Sequence, residues 1–72
     1  MTVNTFLKQW DFELSGTEVV ELVQLNLFKT GKPNCNISKR VAEKGLNDAR
    51  GDLEIRSINI DNEAKVMVLI AG

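Results

Sequence analysis

Ser15-Gly16-Thr17-Glu18-Val19-Val20-Glu21-Leu22-Val23-Gln24-Leu25-Asn26-Leu27-Phe28-Lys29 is the stretch whose secondary structure decides the fold. Its apolar residues scatter around a helical wheel and also fail strict alternation, so periodicity does not separate helix from strand. Local signals favour a helix. Ser15 followed by Glu18 reads as a capping box, and Leu14 with Val19 occupies the two positions of a hydrophobic staple. Glu18 and Glu21 stand at the start, Lys29 and Lys32 at the end, as a helix dipole favours. Pairing the stretch with the preceding residues across a Ser15-Gly16 turn would set Glu13 opposite Glu18, a repulsive arrangement. The reading is therefore a helix ending near Thr30, with Gly31 as its stop. A buried strand is the competing reading, supported by three valines and the leucine-rich run.

Upstream, Phe6, Lys8, Trp10, Phe12 and Leu14 share one parity, with Asp11 and Glu13 between the last three. Period two with aromatics predicts a half-buried strand over about Thr5 to Leu14, anchored in the core by Trp10 and Phe12. Downstream, Gly31-Lys32-Pro33-Asn34-Cys35 is a turn by composition. Cys35 is either a small loop residue or, if set between Lys32 and a helix start, a reactive thiol.

Asn36 to Arg50 then reads as an amphipathic helix capped by Gly51. Ile37, Val41, Ala42, Gly45, Leu46 and Ala49 fall in one half-turn of the wheel. Gly45 on that face signals a close approach to another part of the chain. The other half carries Lys39, Arg40, Lys44, Asn47 and Arg50 with Glu43 as its one carboxylate.

Leu53 to Ile60 and Lys65 to Ala71 form a hairpin about the turn Asp61-Asn62-Glu63-Ala64, since β-branched residues dominate both arms. With Ile60 facing Lys65, one face holds Met67, Leu69 and Ala71, and the other holds Val66, Val68 and Ile70. Both faces are apolar. Two helices cover one face of a small sheet, which leaves Val66, Val68 and Ile70, as a face or an exposed edge, to meet another copy or a partner. A β-bulge near Ser57 that moves the apolar residues to one side is the alternative.

The expected fold is one α+β domain over residues 1–72, of order β-α-α-β-β, with an antiparallel sheet and a C-terminal β-hairpin. The alternative is ββαββ, with one helix on a four-stranded sheet. A chain of 72 residues has a small core and gains from self-association, so a homo-oligomer is expected. Cys35 has no intrachain partner, no residue is histidine, and a metal or other cofactor is not expected. The absence of an apolar run or signal pattern argues against a membrane and, with the free thiol, for a cytoplasmic location.

Catalytic chemistry is poorly provided for. With neither histidine nor tyrosine, the serines lack an activating base, and the pairs Asp11 with Glu13, Glu18 with Glu21 and Asp61 with Glu63 are ordinary surface spacings. A non-enzymatic regulatory binding domain is the expectation. Charge is segregated: net −3 over residues 1–28, +4 over residues 29–50 and −2 over residues 51–72, which sum to the overall −1. The basic middle suggests contact with DNA or RNA through Lys39, Arg40, Lys44, Asn47 and Arg50, in a helix-turn-helix-like order followed by a wing. The other reading is a protein-protein or self-assembling adaptor that docks through Val66, Val68 and Ile70.

Phe12-Glu13-Leu14-Ser15-Gly16 and Glu21-Leu22-Val23-Gln24-Leu25 resemble stretches of small S4-type RNA-binding domains. The likeness ends after the first helix and assigns no family.

Overall fold

The computed structural model describes residues 1–10, 12, 20–29 and 35–72. Among these residues it is an α+β fold with two helices, a four-stranded sheet and a C-terminal hairpin. The elements are α1 (Val3–Gln9), β1 (Leu22–Leu27), β2 (Cys35–Ser38), α2 (Lys39–Lys44), a 3₁₀ turn (Ala49–Asp52), β3 (Ile55–Asp61) and β4 (Val66–Ala71). The sheet order is β2-β1-β4-β3. β1 runs antiparallel to β2 but parallel to β4, so the sheet is mixed where an antiparallel one was expected.

The expected first strand is a helix. Thr2 caps it, its hydroxyl accepting the Thr5 N–H at 3.1 Å. Phe6 and Trp10 fit both readings, because a separation of four residues satisfies period two and one helical turn alike; their rings lie 5.7 Å apart. Val3 and Leu7, at the same separation on the other parity, decide the matter, and both are buried. Phe12 is buried in the core and Trp10 packs against it.

The deciding stretch is a strand in its second half. Val23 and Leu25 are fully buried, while Leu22, Gln24 and Asn26 alternate with them and are half-buried. The capping box of Ser15 and Glu18, the staple of Leu14 and Val19, and the Gly31-Pro33 turn lie outside the described residues. With a strand beginning at Leu22, the likeness to S4-type domains has no helix to rest on over Leu22 to Leu25.

The long helix expected over Asn36 to Arg50 is divided into three pieces. Residues up to Ser38 belong to β2. Ser38 then caps α2, its hydroxyl accepting the Val41 N–H at 3.3 Å. Gly45 ends α2 with φ of +85°, a conformation that favours glycine. The Asn4 side chain holds the next residue by both backbone groups, accepting the Leu46 N–H at 2.7 Å and donating to the Leu46 carbonyl at 2.8 Å. Asp48 caps the following 3₁₀ turn through the Arg50 N–H at 3.0 Å. As a result Val41, placed on the apolar half of the expected helix, is 49% exposed.

The hairpin forms where the sequence places it. Asp61 Oδ1 closes the turn, accepting the N–H groups of Glu63 and Ala64 at 3.0 and 3.1 Å. Ile60 pairs with Met67 rather than Lys65, a two-residue shift that preserves which side chains share a face. A register irregularity between Ile55 and Ser57 is the bulge considered near Ser57. It turns Ile55 toward the core beside Ala71 but leaves Val66, Val68 and Ile70 on the other side. β4 is paired on both sides, so these three residues form part of a sheet face and not of an edge.

The core lies between the helices and one face of the sheet. Val3 and Leu7 of α1 and Ala42 of α2, with Leu46, pack on Val23, Leu25, Ile37, Met67, Leu69 and Ala71. Full burial of a side chain of the leucine or valine class stabilises by about 1.5–3 kcal/mol, so this layer is the main source of stability.

Candidate functional site

Strand alternation and register place Leu22, Gln24 and Asn26 of β1, Asn36 and Ser38 of β2, Val66, Val68 and Ile70 of β4, and Ser57 and Asn59 of β3 on the face opposite the core. Among the described residues, α1 and α2 with Leu46 all pack on the other face. The open face has an apolar strip at its centre, formed by Leu22, Val66, Val68 and Ile70. Each of these is half-buried, which hides the patch from a simple search for exposed apolar residues. Amide and hydroxyl side chains border the strip, with Gln24 donating to Asn36 at 3.5 Å. The Asn26 side-chain oxygen is buried without a hydrogen-bond partner among the described residues.

Among the described residues, charge on this face is confined to its ends. At one end Arg56, in the bulge, lies 5.3 Å from the ring centroid of exposed Phe28 and donates from Nε to the Gly72 carbonyl at 2.8 Å. Lys29 approaches the same ring at 5.5 Å. At the other end stands Asp61, with Glu63 in the turn. Glu21 also lies at that end, 3.9 Å from Lys65.

The basic residues expected to act together are split. Arg40, Lys44 and Asn47 line a shallow cleft with Val41 and Gly45. Lys8 of α1 borders it: a Cβ on Gly45 would lie 3.3 Å from Lys8 Cε and equally near Asn4 Oδ1. The close approach signalled by Gly45 is therefore to α1. Lys39 begins α2, its N–H donating to the Glu21 carbonyl at 3.3 Å. Arg50 is elsewhere. Its Nε donates to Asp48 Oδ1 and Oδ2 at 2.9 and 3.0 Å, its Nη2 to Oδ2 at 2.6 Å, and its Nη1 contacts the Cys35 sulfur. Hydrogen bonding to Arg50 lowers the Asp48 pKa, and the same bonds raise that of Arg50. Arg50 lines a separate apolar cleft with Leu27, Phe28, Ala49, Leu53, Ala71 and Gly72.

Among the described residues two strands lie between α1 and α2, so the expected helix-turn-helix order is replaced. Cys35 begins a strand, beside Arg50, and is partly buried. Among the described residues no three His, Cys, Asp or Glu side chains gather to hold a metal ion, and no helix is long and apolar enough to cross a membrane.

Sequence reasoning missed Asn4. Its amide spans 42 positions of sequence to hold Leu46, and a Cβ on Gly51 would overlap it. The available signal was the pair Gly45 and Gly51, two glycines in what read as one helix and its cap. Compared with known protein families, characterised proteins and solved structures, the chain matches none.

Proposed function

We propose that the chain is a non-catalytic protein-interaction domain whose docking surface is the open face of the sheet, centred on Val66, Val68 and Ile70. The supporting observation is the apolar strip in the two central strands, opposite the face on which the helices pack. A sheet with apolar residues on both sides calls for a layer on each. The absence of charge along the strip among the described residues, with polar groups at its border, is the composition of an interface core and rim.

The test is the size of the species containing the full chain in a native extract, compared for wild type, Val68→Lys and Val41→Lys. Wild type and Val41→Lys are expected in a species larger than the monomer, and Val68→Lys as a folded monomer. Co-elution of all three variants contradicts the reading.

A second reading, contact with nucleic acid, has support in the grouping of Lys8, Arg40, Lys44 and Asn47 around one cleft. It predicts salt-sensitive binding of mixed DNA and RNA that Lys44→Glu weakens. Binding unaffected by Lys44→Glu removes it.

A further inference from the structure

We propose that the occupant of the open face is a second copy of this chain, packed face to face with its strands antiparallel so that Arg56 of each copy meets Asp61 of the other. The inference rests on the docking reading above and adds the partner's identity and orientation.

The argument starts from what a two-fold interface demands. A residue near the axis meets its own equivalent, so a central charge would face a like charge. Among the described residues the middle of this face has none. Asn59 pairs with Val68, and Gln24 also pairs with Val68 from the other side, which gives an uncharged row across β3, β4 and β1. An axis along that row places Val68 against Val68 and Val66 against Ile70 of the other copy.

The same operation fixes the ends. Asp61 lies level with Val66, and Ser57 lies level with Ile70. The bulge sets Arg56 beside Ser57, at the level of Ile70. Reversing one copy about the Val68 row therefore brings Asp61 of one chain over Arg56 of the other, twice. Packed sheets lie about 10 Å apart, a gap that an arginine and an aspartate side chain span together. The other two-fold in the plane of the face, along β4, keeps the strands parallel but lays β3 over β1, so that Arg56 faces uncharged Asn26 and Asp61 faces Leu22 beside Glu21. Charge complementarity selects the antiparallel one.

The experiment is sedimentation equilibrium of the purified full chain as wild type, Arg56→Glu, Asp61→Arg and an equimolar mixture of the two variants, with melting curves for each. Each variant alone faces like charges in its homodimer, and its dimer dissociation constant should rise about tenfold or more. In the mixed dimer the two introduced side chains, of opposite charge, meet each other, and the unchanged Asp61 of one chain meets the unchanged Arg56 of the other. The mixture should therefore regain association to within about threefold of wild type. Loss of a structural role within one chain would not be repaired by mixing. Asp61 also holds the hairpin turn, so Asp61→Asn, which retains an accepting oxygen there, replaces Asp61→Arg if the latter does not fold, with weaker self-association again expected. Dimers indifferent to the charge changes, or a mixture no tighter than its components, overturn the antiparallel pairing. A wild type that stays monomeric overturns the second copy as occupant, while the docking reading then stands or falls on Val68→Lys in the extract.

Discussion

The two faces of the sheet differ by a single step along the same strands. Met67, Leu69 and Ala71 are completely buried beneath the helices, whereas Val66, Val68 and Ile70, between and beside them, look away from every described helix. On β1, Val23 and Leu25 are buried while Gln24 and Asn26 border the open strip. The comparison teaches that β4 has the composition of a strand buried on both sides. The described helices of one chain cover only one of them. The covered face accounts for stability, and the open face is where the account places function.

The sharpest break in this comparison comes from the covered side. Leu69→Ala removes a fully buried side chain and should cost about 2–5 kcal/mol in denaturant unfolding, a large share of what a domain of this size possesses. A loss below about 1 kcal/mol would show that the helices do not cover this face as described.

Next comes the clamp that seats α2 against α1. Asn4→Ala abandons two backbone groups of Leu46, and Gly51→Ala pushes a methyl into the Asn4 amide. Each is expected to cost about 1–3 kcal/mol, and the double variant should cost less than the sum because both act on one contact.

On the open side, Val68→Thr keeps the β-branched shape and should change monomer stability by less than about 1 kcal/mol while weakening association. Equal effects of Leu69→Ala and Val68→Thr on monomer unfolding would erase the distinction between the faces.

A smaller effect belongs to the Asp48–Arg50 pair. Because the folded pKa of Asp48 lies below its ordinary 3.8, the stabilisation is present above that value and is lost as pH falls through the folded pKa. Asp48→Asn should therefore lower the melting temperature slightly near neutral pH and have no effect in strong acid. The smallest effect is that of Val41→Ser, expected to lie within about 0.5 kcal/mol of wild type because the side chain is 49% exposed.

What could be read in the sequence follows the range of the interactions. The hairpin, its Asp61 turn, the bulge near Ser57 and the second apolar face of Val66, Val68 and Ile70 depend on residues close in the chain, and local patterns reveal them. The first helix was disguised by even spacing: Phe6, Trp10 and Phe12 suit a strand until Val3 and Leu7 are weighed. At β1 the capping signals around Ser15 favour a helix over the alternation of Leu22 to Leu27, which β4 rewards with a parallel ladder invisible to local reading. The basic site fared least well. Periodicity puts its five residues on one helix, but Gly45, held against α1 beside Asn4, ends α2 before Arg50 can join Arg40 and Lys44.

The central claim, that the face bearing Val68 docks a polypeptide, is tested most directly by a photo-crosslinking amino acid at position 68 of the full chain in its native cells, with position 41 as the exposed comparison. The account predicts a defined protein adduct, to a second copy or another chain, from position 68 and none from position 41. No adduct at position 68, or equal adducts from both positions, would contradict it.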